Sequence, residues 1–173
     1  MPVVALILST LAFWLIYWFI RMGGLDHIHS IFARRREDAR RVQARDRERT
    51  GALRAVDDPR EAATVLMLLM ARAGGDPTRE HILAIERLIR VTFGLDRDLA
   101  EWMTAARFIA SRAEGFEEAA GLFSNLFNTH LTTGEKRELM AMLGKVASVE
   151  GPSAAQNEAL AVIERRVGLA PPR

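Results

Sequence analysis

Apolar residues follow two different patterns along this chain. Residues 3–20 form one unbroken, uncharged run, whereas from residue 57 onward apolar side chains recur every three or four positions between polar ones. The second spacing is the period of an amphipathic α-helix, and no stretch shows the strict alternation of a β-strand. The pattern therefore predicts an all-α protein in which an apolar N-terminal helix precedes a helical domain at residues 55–173.

Local capping signals divide this domain into six predicted helices. Asp58 followed by Pro59 is typical of a helix start, and the pair Gly74-Gly75 is typical of a helix end. The six predicted starts are Asp58, Asp76 or Thr78, Asp96, Gly115, Thr132 with its capping-box partner Glu135, and Ser153 with its partner Gln156.

Large apolar side chains at helical spacing are most simply explained as the core of the domain. The aromatic and methionine residues assigned to this core are Trp102, Met103, Phe108, Phe116, Phe123 and Phe127. In an alternative interpretation, one stripe of them stays exposed and forms a groove for a helix of a partner protein.

The run at residues 3–20 is long enough to cross a membrane. A helix of this length measures about 27 Å, close to the thickness of a bilayer's hydrocarbon core. A cleaved signal peptide would need a basic start, and Met1-Pro2 carries no side-chain charge. It would also need a small-residue cleavage site after the apolar run, and no A-x-A pattern follows before Asp26. A core helix apolar on every side would be unusual in so small a domain. We therefore predict a transmembrane anchor at residues 1–22 that contacts the lipid bilayer through residues 3–20.

Basic residues predict the orientation of this anchor. No Lys or Arg precedes the span, whereas many Arg follow it, so the N-terminus is expected outside and the domain in the cytoplasm. Ala5 and Ser9 form a small-xxx-small pair that would allow two spans to pack as a homodimer. The residues expected at the membrane interface are Trp14, Tyr17, Trp18 and Arg21.

Residues 23–54 are predicted to form a charged juxtamembrane helix or linker. The segment from Arg21 to Arg54 holds ten Arg and five acidic residues, so it carries +5 while the rest of the chain carries −3. One interpretation is a solvated helix with internal ion pairs, and another is contact with anionic lipid head groups. Nucleic acid is not expected as a partner, because no aromatic residues are interleaved. The residues assigned to lipid contact are Arg34, Arg35, Arg36, Arg40 and Arg41.

Two stretches of the domain, MLLMARAGGDPTREHILAIERLIRVTFGL and MLGKVASVEGPSAAQNEALAVIERRVGL, share a helix, a Gly-containing loop and a helix that ends in Gly-Leu. This arrangement resembles the TerB-like domain of tellurite-resistance proteins. The order of a span, a basic segment and this domain is similar to membrane-anchored DnaJ-like co-chaperones of the DjlA type. The chain has no His-Pro-Asp tripeptide and only four residues follow Leu169, so stimulation of an Hsp70 ATPase is not expected.

The resemblance implies a bacterial inner-membrane protein and a metal site at the interhelical loops. The acidic loop residues that remain are Asp76, Glu80 and Glu150, because Gly74 replaces the family's first Asp. Such carboxylates suit a hard divalent cation. The alternative is that Asp76 caps a helix, Glu80 favours its N-terminal end and Glu150 is solvated.

No catalytic motif is present in the sequence. There is no cysteine, HExxH motif, phosphate loop or nucleophile elbow, and a polar surface role is predicted for His27, His29, His81 and His130. We therefore expect no catalysis and no obligatory cofactor. The predicted function is a membrane-anchored module that binds an unidentified cytoplasmic or membrane protein, in envelope or metal stress. The alternative function is a divalent-cation sensor.

Overall fold

The computed structural model describes residues 50–170, and every regular element in this part of the chain is helical. The all-α prediction is confirmed for these residues. Residues 50–54 are helical and precede six longer helices. These are α1 (Pro59–Ala73), α2 (Arg79–Leu88), α3 (Leu99–Arg112), α4 (Phe116–His130), α5 (Thr133–Ala147) and α6 (Ala154–Arg166). Helix α2 continues directly into a π-helical turn at Ile89–Phe93.

The predicted anchor at residues 1–22 and most of the Arg-rich segment lie outside the described residues. The same holds for the interface residues Trp14, Tyr17, Trp18 and Arg21 and for the lipid-contact residues Arg34, Arg35, Arg36, Arg40 and Arg41. Across residues 50–170, no helix combines the length and the apolar character that a membrane crossing requires.

Helix α1 is the centre of the domain and packs against each of the other five helices. Asp58 caps its start by accepting a hydrogen bond of 2.8 Å from the backbone N–H of Arg60, and Pro59 occupies the first helical position. All ten residues from Ala62 to Ala71 are buried. A helix that is apolar around its whole circumference needs neighbours on every side, and α1 has them.

Helices α3 and α4 bury one face each against α1. Phe123 and Phe127 meet edge to face with ring centroids 6.4 Å apart, and both are buried as predicted. Trp102 is half-buried, and its Nε1 donates a hydrogen bond of 2.9 Å to Oγ1 of the buried Thr64. The indole polar group therefore has a partner within the core.

The core assignment of Phe108 is wrong, because 55% of this residue is exposed. The inward face of α3 is formed by Met103, Ala106 and Ala110. Phe108 lies on the opposite face of the helix, where the Arg112 guanidinium stands 4.9 Å from its ring centroid. Helical spacing alone did not show which aromatic residues faced inward.

Capping signals located the helix starts with one exception, the start of α3. The capping boxes at Thr132 and Ser153 are confirmed. Helix α2 starts after Thr78, which was the second of the two predicted positions, so Asp76 is not its cap. Helix α3 starts after Asp98 rather than after Asp96.

Two helical hairpins follow the same plan. The first consists of α1 and α2 and the second of α5 and α6. Helices α1 and α5 have 15 residues each and begin 74 positions apart. Each hairpin ends at a glycine with positive φ, Gly94 at 67° and Gly168 at 75°, a conformation that side chains with a Cβ rarely adopt. The sequence similarity between the two Gly-Leu segments therefore corresponds to a repeated hairpin.

Gln156 joins the second hairpin to the first. Its Oε1 accepts a hydrogen bond of 2.9 Å from the backbone N–H of Ser153, and its Nε2 donates one of 3.1 Å to the carbonyl of Met70 in α1. The side chain is only 2% exposed. A Cβ placed on Gly74 would stand 2.6 Å from the Gln156 Nε2. The absence of a side chain at position 74 therefore makes room for this connection.

Candidate functional site

A cleft of about 200 Å³ opens between the start of α1, the π-helical turn and α5. We call it the π-turn cleft. Its lining combines apolar, hydroxyl and charged side chains: Pro59, Arg60, Ala63, Thr92, Phe93, Leu131, Glu135, Glu138, Leu139 and Met142. The cleft joins both hairpins, because one wall comes from the end of the first and the other from the first helix of the second.

The π turn that forms one wall compensates for the shorter loop of the first hairpin. Five positions separate Ala73 from the cap Thr78, whereas six separate Ala147 from the cap Ser153. Both hairpins nevertheless close 21 positions after their first helix, at Gly94 and Gly168. The second helix of the first hairpin must therefore hold one extra residue. A π turn does this because its hydrogen bonds span five residues instead of four.

The floor of the cleft is apolar. Ala63, Leu139 and Met142 are each no more than 4% exposed, and Phe93 and Leu131 are half-buried beside them. A ligand that places an apolar group here would remove the exposed parts of Phe93 and Leu131 from water, which is favourable at about 25 cal/mol per Å² of apolar surface.

The one cation in the lining, Arg60, is already paired. Its Nη2 lies 2.7 Å from the Asp58 carboxylate, and its guanidinium stands 5.7 Å from the Trp102 ring centroid. The hydrogen bond from Arg60 lowers the pKa of Asp58, which keeps that carboxylate ionised. The positive charge of Arg60 is therefore balanced within the protein.

Two carboxylates stand at the rim of the cleft on α5. Glu135 belongs to the capping box, and hydrogen bonds from the hydroxyl and backbone N–H of Thr132 lower its pKa. Glu138 lies three residues further along the same helix and is exposed. Within the described part of the chain, neither carboxylate forms an ion pair. Among residues 50–170, no ion pair therefore neutralises the negative charge at the rim.

The residues predicted to bind a metal are all exposed. Asp76 lies in the loop between α1 and α2, Glu80 in the first turn of α2, and Glu150 in the loop between α5 and α6. No set of three or more His, Asp or Glu side chains in residues 50–170 is close enough together to hold a metal ion. Cation binding by Asp76, Glu80 and Glu150 stays a prediction, which calorimetric titration with calcium, magnesium and zinc would examine.

The surface role predicted for His81 is wrong, because this residue is 4% exposed. Its Nδ1 accepts a hydrogen bond of 3.3 Å from the backbone N–H of Thr78, and it occupies the position in the first hairpin that Gln156 occupies in the second. His130 is exposed at the end of α4, and His27 and His29 lie outside the described residues.

A second groove of about 240 Å³ lies between α1, α2 and α3. Its lining is Leu68, Leu69, Arg72, Pro77, Ile82, Arg107, Ala110 and Ser111, so its only charged groups are cationic, and we call it the arginine groove. Arg72 donates hydrogen bonds to the carbonyls of Ala110 and Ala113 at 3.3 and 3.1 Å. It therefore satisfies backbone carbonyls at the end of α3.

Neither groove was predicted from the sequence, although one signal for the π-turn cleft was present. His81 and Gly94 are 13 positions apart, whereas their counterparts Gln156 and Gly168 are 12 apart. An unequal spacing between matched positions indicates an extra residue in one helix. No protein-family model matches this chain, and neither a curated protein nor a solved structure matches it.

Proposed function

We propose that this protein is a non-catalytic interaction module, held at the cytoplasmic face of a bacterial inner membrane by residues 1–22. The observation that carries the proposal is the π-turn cleft, which has an apolar floor and a charged rim and is lined by both hairpins. A site of this form suits a partner protein that places an apolar side chain on the floor and polar groups at the rim.

The membrane part of the proposal rests on sequence. Residues 3–20 lack charge, and ten Arg follow between positions 21 and 54. A span with this flanking charge keeps the domain on the cytoplasmic side. We expect the full-length chain to remain with membranes after a carbonate wash, and recovery in the soluble fraction would contradict this.

The repeated hairpin supports assignment to the TerB-like family as part of the same proposal. Both hairpins contain a glycine with positive φ in the connecting loop, Gly75 in the first and Gly151 in the second, and both close on Gly-Leu. Gly74 departs from the family pattern, since Gln156 fills the space that a side chain there would need.

Site-specific crosslinking tests whether a partner occupies the cleft. Because the natural chain has no cysteine, a single Thr92→Cys substitution places one thiol in the cleft wall. The thiol is labelled with a photoreactive benzophenone in membrane vesicles that contain the full-length protein. We expect one discrete adduct of higher mass after illumination.

The matched control is Glu158→Cys, because Glu158 is exposed on α6 and lines neither groove. An adduct that forms at Thr92 and not at Glu158 supports a partner in the cleft. Equal labelling at both positions, or no adduct at either, would overturn the proposed function.

A further inference from the structure

We propose that the π-turn cleft binds a basic amphipathic segment, in which a Lys or Arg stands beside a large apolar side chain. This inference rests on the proposed function and specifies the chemistry of the partner. It follows from the distribution of charge at the rim, from the apolar floor and from the helix ends that meet there.

Negative charge at the rim selects a cation. Arg60 is neutralised by Asp58 at 2.7 Å, whereas Glu135 and Glu138 have no cationic partner among the described residues. The lowered pKa of Glu135 means that its carboxylate is ionised at neutral pH. Both carboxylates lie on one face of α5, since side chains three residues apart on a helix are neighbours. A Lys or Arg of the partner can reach both.

Helix ends at the cleft favour the same charge. Thr92 and Phe93 belong to the last turn of the helix formed by α2 and the π turn, and the C-terminal end of a helix carries a partial negative charge. The N-terminal ends of α1 and α5 also reach the cleft, but Asp58 and Thr132 already accept hydrogen bonds from their backbone N–H groups. The C-terminal end lies at Gly94, whose N–H donates a hydrogen bond of 3.1 Å to the Arg90 carbonyl, and it is the one of the three ends whose partial charge favours a cation.

An apolar side chain completes the match. The floor formed by Ala63, Leu139 and Met142 offers no hydrogen-bonding side chain, so only an apolar group can be buried on it without losing hydrogen bonds to water. A helix that presents a leucine next to a lysine can place the leucine on the apolar floor and the lysine beside the rim carboxylates. An acidic helix would satisfy the floor but would be repelled at the rim.

Two synthetic peptides of about 14 residues, roughly four helical turns each, separate these cases. One contains only Leu and Lys and the other only Leu and Glu, with the same spacing and a fluorescent label. Each is titrated with the full-length protein in nanodiscs of zwitterionic lipid, and fluorescence anisotropy is measured. Empty nanodiscs give the contribution of lipid. We expect the Lys peptide to bind the protein more tightly than the Glu peptide.

Substitutions at the rim locate the binding. Glu135→Gln keeps a capping-box side chain while it removes the charge, and Glu138→Gln removes the second charge. For an exposed ion pair, each should weaken binding of the Lys peptide about two- to fivefold, and the loss should shrink at high salt. Glu158→Gln, on α6 away from the cleft, is the matched control and should leave the affinity unchanged.

Equal affinity for the two peptides, no binding of either, or an unchanged affinity in both rim variants would overturn the inference. Crosslinking at Thr92 is independent of this result. If the Thr92 adduct forms and the rim variants have no effect, the cleft is still a partner-binding site, but the inference that its partner is basic is overturned. If the adduct is absent, the proposed function itself fails.

Discussion

The two hairpins of this domain have the same overall length from the end of their first helix to the closing glycine, but their loops and second helices differ in length. The second has the longer loop and a helix that stays α-helical to its last turn, whereas the first has the shorter loop and adds a residue in a π turn. Thr92 and Phe93 of this turn lie in the wall of the cleft. The π turn that accommodates the extra residue therefore also forms part of the surface on which the proposed function depends.

The hairpins also differ in how much of their first helix is buried. Helix α1 is buried from Ala62 to Ala71, whereas α5 buries a single face that includes Leu139, Leu143 and Val146. The first helix has 15 residues in both hairpins, but it is the centre of the domain in the first hairpin and an outer helix in the second.

The largest expected difference between the hairpins is in the loss of stability when a large side chain is removed at equivalent positions of α1 and α5. Leu66 in α1 is fully buried, and its counterpart Met140 in α5, 74 positions later, is half-buried. Leu66→Ala should lower the free energy of unfolding by about 2–5 kcal/mol, because it leaves a cavity. Met140→Ala should cost less than half as much. Chemical denaturation of both variants measures the two values, and equal losses would contradict the central position of α1.

The connection between the hairpins should give the next largest effect. Gln156→Ala leaves the buried carbonyl of Met70 without its partner, which should cost about 1–3 kcal/mol. Gly74→Ala should cost about 1–3 kcal/mol, because its Cβ collides with the Gln156 side chain.

The double variant sharpens this test. In the Gln156→Ala background the space beside position 74 is vacant, so Gly74→Ala should cost much less than it does in the natural chain. Thermal or urea unfolding of the four proteins gives the coupling energy. Strictly additive losses would mean that Gly74 and Gln156 do not meet as described.

Removing the equivalent N-cap side chains of α1 and α5 tests whether the two caps contribute equally to stability. Asp58→Ala and Thr132→Ala should each lower stability by about 1 kcal/mol, since each removes an acceptor for a backbone N–H. The pKa of Asp58 is lowered in the folded state, so the stability that its ionised form contributes is present above its unfolded pKa and is lost as pH falls through the folded pKa. Urea titrations at neutral and acidic pH should show the cost of Asp58→Ala shrinking in acid.

The smallest expected effect comes from two glutamates at the third position of α1 and α5. Burial, together with the charges of Asp58 and Asp57, raises the pKa of Glu61, whereas hydrogen bonds from Thr132 lower the pKa of Glu135. Ionised Glu61 therefore weakens the fold at neutral pH, and this penalty disappears as pH falls below its unfolded pKa. Ionised Glu135 stabilises the fold above its unfolded pKa, and this gain is lost as pH falls through the folded pKa.

Glu61→Gln should accordingly raise stability at neutral pH by a few tenths of a kcal/mol, after allowance for solvent screening, and have little effect in acid. Glu135→Gln should lower stability at neutral pH and should also lose its effect in acid. Thermal unfolding at the two pH values measures both. The same sign for both variants at neutral pH would contradict the different surroundings of the two side chains.

Local sequence signals predicted most of this fold. Thr132 and Ser153 lie at capped helix starts because a cap depends on residues three positions away, which the sequence shows directly. Phe108 and His81 were misplaced, since burial depends on which face of a helix meets its neighbours. The π turn was missed because an extra residue at Ile89–Phe93 does not change the apolar spacing enough to be seen in one helix alone. Comparison with the second hairpin exposes it.

The bond between Gln156 and the Met70 carbonyl spans 86 residues and fastens the last helix of the domain to the first. Protein synthesis delivers these two ends at different times. A nascent chain that ends at α5 lacks the Gln156 side chain that binds the Met70 carbonyl, and it lacks the helix that packs on this side of α1. Closure of the domain therefore has to wait for the synthesis of α6, and a chain truncated before Gln156 would leave part of the central helix uncovered.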